Sequence, residues 1–456
     1  MYRKRVSSDL TQGPLPLQVL RFSVPIICTS ILQLLFNAAD MAIAGRFIGD
    51  QALGAVGATT FLVNGFINFL VGISLGANVV LARYFGMKKP DQANSALHTA
   101  IVLGLLGGVL LGAVGLCTAN YVIVLLGTPA DLRSLAVQYL NIYFWGLPVM
   151  AVFNLCSAAL RSVGDTQNSL YFLSVAGICN LGLNILFVAV LGIGVVGVAL
   201  GTVLSQVLAC VLMLRLLTKG YRSILFRVGD LKLTGRYVRE ILRIGLPAGV
   251  QSVIFSVSNM MIQAGYNSFG SDVVAGNAAG GTIEQFVFAT MAAYGQAAVS
   301  FVGQNIGAGN LRRVRDSLGV CLMWCNLFGL ISGWLTVAFA RQLLGIFSSE
   351  PAVIEGGYGR ILFVCGTYFL CGSMDVVLSC LRGLGKSLQP MLISIFGICG
   401  IRIVWVRAVF PAVQTLESLY ISYPISWIIT LTIELVLFYL EYKKLCSLYP
   451  KGSVYL

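Results

Sequence analysis

Apolar stretches about 20 residues long follow one another along the whole of this 456-residue chain. Each is long enough to cross, as a helix rising about 1.5 Å per residue, a hydrocarbon layer of about 30 Å. The chain is 57% hydrophobic and only 10% charged, against roughly 25% charged residues in soluble domains. No soluble surface of this length is covered by so few charges, so the bilayer is the solvent. Spans are predicted at 17–45, 53–82, 95–120, 134–160, 168–191, 194–218, 239–266, 273–303, 314–343, 357–381, 388–413 and 417–442. The expected fold class is an all-α integral membrane protein of twelve transmembrane helices.

A net charge of +13 raises nucleic acid as a partner, and the placement of the 30 Lys and Arg argues against it. With the N-terminus inside, all but six of them fall in inner segments and adjoining helix ends. Arg46, Arg133, Arg341 and Arg360 lie outside, and Arg402 and Arg407 lie within the eleventh span. The positive-inside rule then puts both termini in the cytoplasm. A nucleic-acid site needs one continuous basic face, whereas these charges are scattered over short inner segments, so no nucleic acid is expected.

The twelve Cys form no CxxC pair, and Cys321 with Cys325 has no His nearby. Neither a metal site nor a disulfide framework is supported, and most of them read as small apolar packing residues. The single His98, at the inner start of the third span, fits an ordinary interfacial role better than a proton relay. The segment from Met1 to Gly13 is short and polar without a cleavable-signal pattern, so the first span is expected to stay in the mature protein.

The chain repeats itself at an offset of about 221 residues. Leu20, Arg21, Pro25 and Asn37 return as Leu242, Arg243, Pro247 and Asn259. Gly49, Ala77 and Gly86 return as Gly270, Ala298 and Gly307, and Leu160, Arg161 and Gly164 as Leu381, Arg382 and Gly385. Gly177, Ile178 and Cys179 return as Gly397, Ile398 and Cys399. Internal repeats of this kind are the usual construction of secondary transporters. Each copy holds six spans, an even number, so the two run in the same direction as parallel repeats, a symmetry that places a cavity between two bundles.

The expected organisation is a cytoplasmic N-terminal segment (1–16), an N-lobe (17–218), a cytoplasmic linker (219–238), a C-lobe (239–442) and a cytoplasmic tail (443–456). The linker and its flanks hold eight basic residues, which makes contact with anionic membrane lipids a secondary expectation. The 51 Gly suit close helix approach, since lipid gives helices no hydrophobic drive to associate. Pro25 and Pro247 each remove a helical hydrogen bond and mark bends, and Pro25 is the expected hinge.

These residues resemble the multidrug and toxic compound extrusion (MATE) family of bacterial transporters over essentially the whole chain. The resemblance is carried by the stretch Pro25 to Phe47 with its Asn37-Ala38-Ala39-Asp40, the paired loop motifs Ala82 to Gly86 and Val302 to Gly309, and the paired LR-x-x-G motifs from Leu160 and Leu381. It implies two pseudo-symmetric six-helix bundles in a V around a central cavity. It also implies alternation between outward and inward openings, with H⁺ or Na⁺ influx driving export of small organic compounds, often cationic drugs. A multi-pass protein of the bacterial inner membrane is implied, with no cofactor beyond the coupling ion, and a monomer is expected.

A carboxylate inside a membrane costs about 2.5 to 3.5 kcal/mol on insertion scales, and Asp40, Glu284 and Asp375 therefore call for a reason. Gln33, Asn37 and Asp40 lie at i, i+4 and i+7, on one helical face expected to look inward. The seventh span repeats the stripe without a carboxylate as Ser252, Ser256, Asn259 and Gln263. Asn180 and Asn184 are one turn apart in the fifth span, as are Thr202 and Gln206 in the sixth.

In the family, residues matching Asp40, Asn180 and Thr202, with an acidic residue at the place of Asn184, form the N-lobe cation site. This chain departs at Asn184, which leaves one formal charge for any Na⁺, although amide and hydroxyl oxygens also suit a hard cation. A proton needs less: a lone carboxyl can load one from outside and release it where the surroundings are wetter or more positive. The alternative is that the same four residues are only interhelical hydrogen-bonding groups, worth about 0.6 kcal/mol per contact.

Glu284, Asp375, Asn259 and Gln263 are candidates for lining a substrate cavity, with Phe286 and Phe288 available for cation–π contacts. Asp375 fits an internal pair with Arg382 nearly as well, and Glu434 reads as interfacial or paired. The alternative function is a flippase or exporter of a lipid-linked or anionic metabolite. An intramembrane enzyme or an ATP-driven pump is disfavoured, because HExxH and GxxxxGK[ST] are both missing.

Overall fold

The computed structural model describes residues 9–220 and 224–448, apart from the side chains at positions 50, 61, 257, 260, 261 and 264. Residues 1–8 of the expected N-terminal segment, 221–223 of the linker and 449–456 of the tail lie outside the described residues. The first six spans are α1 (Leu15–Phe47), α2 (Asp50–Gly86), α3 (Pro90–Leu125), α4 (Ala130–Ser162), α5 (Gln167–Asn184) with a π turn over Ile185–Val190, and α6 (Val195–Thr218). The second six begin with α7 (Gly235–Tyr266), α8 (Ser271–Gly307) and α9 (Leu311–Ala338), followed by the short α10 (Ala340–Gly345).

In the tenth span α11 (Pro351–Arg360) and α12 (Gly366–Gly383) are joined by a π turn over Ile361–Cys365. The eleventh runs through α13 (Leu388–Ser394), α14 (Ile401–Val404) and α15 (Phe410–Val413), linked by π turns over Ile395–Gly400 and Trp405–Val409. The last is α16 (Leu416–Leu448). Among the described residues eleven of these spans are long and apolar enough to cross a membrane. The twelfth is α7, a 32-residue helix that carries four of the undescribed side chains.

Two pairs of repeated glycines have a backbone reason. Gly49 and Gly270 precede α2 and α8 at φ 114° and 96°, and Gly164 and Gly385 follow the LR motifs at φ 81° and 84°. Side chains with a Cβ rarely adopt that left-handed conformation. Other glycines let helices touch: a Cβ on Gly108 of α3 would meet Cα of Pro148 on α4 at 2.5 Å, and one on Gly112 the carbonyl of Phe144 at 2.7 Å.

The chain divides into two compact units, one of Cys28–Gly249 and the other of Leu10–Ile27 with Val250–Leu456. The boundaries differ from the expected lobes in two helices. The first half of α1 belongs with the second repeat, and the first half of α7 with the first repeat. In unit 1, α7 crosses α2 at Gly72 and Gly76, where a Cβ on Gly76 would meet the backbone nitrogen of Gly245 at 2.7 Å. In unit 2, Phe22 of α1 packs edge-on against Phe301 of α8 at 5.6 Å, and the indole of Trp324 donates to the carbonyl of Pro16 at 3.0 Å.

The segments leading into these two helices are fastened by side chains. Ahead of α1, the backbone N–H of Leu10 donates to Gln304 Oε1 at 3.0 Å. Arg313 donates to the carbonyls of Leu10, Gln12 and Gly13 and to Gln18 Oε1. The Val302–Gly309 motif, through Gln304, thus helps hold the start of the chain.

Ahead of α7, Asn94 Oδ1 accepts from the N–H of Leu225 at 2.8 Å. Thr99 Oγ1 accepts from the N–H of Thr234 at 3.4 Å. His98 bridges two backbone groups: its Nδ1 donates to the carbonyl of Asn94 at 2.7 Å, and its Nε2 accepts from the N–H of Arg227 at 3.0 Å. Since a carbonyl only accepts, the ring is fixed as the Nδ1–H tautomer, and it stacks on Phe226 at 5.6 Å.

Candidate functional site

Unit 1 brings Asp40, Asn180, Asn184 and Thr202 together. Asp40, on the second half of α1, is 9% exposed. Its Oδ1 accepts from Asn184 Nδ2 at 2.5 Å and its Oδ2 from Thr202 Oγ1 at 3.2 Å. Asn180 Nδ2 reaches Thr202 Oγ1 at 3.4 Å. The carbonyl of Val198, 3.0 Å from the same hydroxyl, competes with Asp40 for its single proton.

Every direct partner of Asp40 is neutral, and no ion pair to it occurs among the described residues. Asn184 Oδ1 is buried without a hydrogen-bond partner. That oxygen occupies the place where a Cβ on Gly201 of α6 would lie, so Gly201 is what gives Asn184 room. Tyr139 and Tyr143, buried one turn apart on α4, lie within the electrostatic reach of Asp40. Sequence reasoning missed them, and their i, i+4 spacing in the fourth span was the one available signal.

The rest of the stripe on α1 is not enclosed. Gln33 and Asn37 are both exposed, although they share a helical face with Asp40, which takes its hydrogen bonds from α5 and α6.

Unit 2 treats its carboxyls differently. Glu284 of α8, a candidate for lining a substrate cavity, is held by Arg360, whose Nη2 and Nε donate to Oε2 at 2.7 and 3.0 Å. Tyr368 donates to Oε1 at 2.8 Å. Arg360 Nη1 donates to Asn277 Oδ1 at 2.8 Å, and Asn277 Nδ2 to Gln263 Oε1 at 3.1 Å. Gln263 is therefore tied into this network. Topology had placed Arg360 at the far end of a span and gave no hint that it turns in to meet Glu284.

Asp375 and Arg382 form no ion pair among the described residues, since Arg382 Nη2 donates instead to Gln251 Oε1 at 2.8 Å. Asp375 packs at Gly295, where only a glycine leaves space for its carboxyl. Asn259 is exposed and accepts from Arg402 Nη1 at 3.3 Å. Arg402 answers none of the acids directly: its guanidinium lies 4.1 Å from the ring centre of Tyr423 and also donates to Ser426 Oγ. Glu434 is fully buried and accepts from Ser394 Oγ at 2.7 Å, so it is not interfacial.

Three of the four π turns start directly after a residue that reaches a buried carboxyl. Asn184 reaches Asp40, Arg360 reaches Glu284 and Ser394 reaches Glu434. A π turn holds one extra residue, re-aims the side chains beside it and is frequent at functional sites.

Twelve apolar spans in two repeats, with carboxyls buried between them, define the class: a polytopic membrane transporter. The MatE family profile matches residues 25–187 and 247–406, one stretch in each repeat, and the chain belongs to that family. It is 30% identical over 389 residues to the "Probable multidrug resistance protein YpnP" of Bacillus subtilis (strain 168), covering 85% of this chain and 86% of that protein. It is 25% identical over 437 residues to the "Probable multidrug resistance protein YoeA" of the same strain, covering 93% of each. A MOP-superfamily transporter from Pyrococcus furiosus Vc1 shares the fold at a TM-score of 0.90 and 19% identity, covering 97% of this chain and 99% of that one.

Proposed function

We propose that this transporter exports organic, cationic amphipathic compounds by alternating access in exchange for H⁺ or Na⁺, and that Asp40 carries the coupling ion. The observation behind this reading is a buried carboxyl held only by neutral groups, the amide of Asn184 and the hydroxyl of Thr202, with the Asn180 amide behind that hydroxyl. Such a carboxyl changes charge when it binds an ion, and that change alters what its surroundings must solvate. With Asn184 in place of a second acid the donor set suits a proton better than Na⁺, although the unpartnered Asn184 Oδ1 and Thr202 Oγ1 are oxygens a hard cation accepts. The names of the B. subtilis relatives support drugs as cargo, and the crowding of basic residues into alternate loops supports cytoplasmic termini in a bacterial inner membrane.

Purified protein in liposomes should move a fluorescent organic cation under an imposed pH or sodium gradient. Asp40→Asn, nearly the same shape without the charge, should abolish gradient-driven transport while leaving folded protein in the membrane. Full activity in Asp40→Asn would remove Asp40 from the mechanism. A lipid-linked or anionic cargo is the second reading, favoured by the buried Arg402, which has no carboxylate partner among the described residues. Its donors to Ser426 and Asn259 and its place on the Tyr423 ring leave less of it for an anion. A wild type deaf to both gradients would move the weight to that reading.

A further inference from the structure

Glu434 of α16 is the most deeply buried acid in unit 2, at 0% exposure. Its Oε1 takes one hydrogen bond, from Ser394 Oγ, and its Oε2 has no partner. No Lys or Arg comes within ion-pair distance of it among the described residues. The charged groups that act on it are Arg382 and Asp375, both on α12. Arg382 is 8% exposed, is committed to Gln251 through Nη2, and leaves its Nε unpartnered. Further along α16, Glu441 pairs at 3.2 Å with Lys386, which follows α12, and the two contribute no net charge.

Two carboxyls and one guanidinium thus share a buried region of unit 2 without a direct contact between opposite charges. The trio is neutral when one carboxyl holds a proton and carries a net negative charge when neither does, and an uncompensated buried charge costs several kcal/mol. Asp375 keeps some exposure, whereas Glu434 keeps none, so the proton belongs on Glu434. Like Asp40, Glu434 meets a neutral side chain just ahead of a π turn, although the two turns are not equivalent in the repeat, since Ser394 answers to Ser174 and not to Asn184.

We propose that Glu434 is a second proton-binding carboxyl of this transporter, exchanging its proton through the partly exposed Asp375, with Arg382 holding the compensating charge. The proposal deepens the antiport reading and rests on it for its role in transport. The bound species is a proton alone: Glu434 passes from –COOH to –COO⁻ as the proton moves to Asp375 or to water, and no other bond changes.

Infrared difference spectra of the reconstituted resting protein between high and low pH test the site itself. A protonated-carboxyl C=O band is expected in the wild type, lost in Glu434→Gln, moved in frequency in Glu434→Asp and retained in Asp40→Asn. Carboxyl bands unchanged in folded Glu434→Gln would overturn the assignment, and should that variant fail to fold, an unmoved band in Glu434→Asp does the same. In transport, Glu434→Gln should flatten the pH profile of gradient-driven uptake, with Glu434→Asp restoring part of it. A wild-type profile in Glu434→Gln would reduce Glu434 to a packing group. If no gradient drives the wild type, the antiport reading falls, and the infrared result still decides Glu434 separately.

Discussion

Asp40 is a buried carboxyl and Glu284 a partly buried one, both in apolar spans, and their partners differ in kind. Glu284 receives two donors from one guanidinium plus the phenol of Tyr368, so a countercharge sits against it. Asp40 receives only amide and hydroxyl donors, with no ion pair among the described residues. Removing Arg360 alone therefore strands a carboxylate. Pairs lost in a dry interior cost about 3 to 5 kcal/mol, and with both side chains 13% exposed the expected loss for Arg360→Met is somewhat less, roughly 2 to 3 kcal/mol. Thermal unfolding in detergent should show a lowered midpoint for Arg360→Met and recovery of most of it in Arg360→Met with Glu284→Gln. A wild-type midpoint in the single variant would mean that the pair contributes nothing. Each member of the Asp40 cluster stood out as a polar side chain in an otherwise apolar span, and the family resemblance is what grouped the four. Arg360 was hidden because hydropathy assigns a charge near a span end to water and cannot tell that it reaches back inside.

At the scale of elements, close approach is written in glycine, but the choice of neighbour is not. Gly72 and Gly76 on α2 and Gly245 and Gly249 on α7 are each spaced four apart, and a Cβ on Gly245 would meet Cα of Ile73 at 2.8 Å. The small-xxx-small spacing on each helix was visible in the sequence, yet nothing there said that these two helices meet. Gly76→Leu drives a branched side chain into the backbone of α7, and overpacking of that kind costs about 1 to 3 kcal/mol. Its unfolding midpoint and its yield of monodisperse protein on size-exclusion chromatography should both fall. Gly57→Leu is the matched control, because a Cβ at Gly57 meets nothing within 4 Å. Equal behaviour of the two variants would remove the crossing as a determinant of stability. The π turns had no sequence signature, since one residue added within a helix leaves composition and span length unchanged; three of the four described ones begin where Asn184, Arg360 and Ser394 turn toward their carboxyls.

Across the whole molecule the repeat was legible and the exchange of half-helices was not. An offset of about 221 residues pairs like with like, but it does not say whether the first half of α1 packs within its own repeat or with the other. The units change hands at Ile27–Cys28 in α1 and at Gly249–Val250 in α7, in each case just after a repeated proline, Pro25 or Pro247. A proline there removes the N–H that would bond to the carbonyl four residues back, Arg21 for Pro25 and Arg243 for Pro247, and leaves a joint of low bending cost. A helix that belongs to one unit before such a joint and to another after it must bend there whenever the units rearrange. Pro25→Ala restores the missing bond and should leave the folded protein as stable as the wild type or more so, while lowering the maximal rate of gradient-driven uptake per folded molecule. Pro25→Gly, which lacks the ring but stays pliable, should keep more of that rate than Pro25→Ala, and Pro247→Ala should repeat the Pro25→Ala result in the second helix. Wild-type uptake by Pro25→Ala would make the proline architectural, a shape for α1 to pack in rather than a joint that transport works.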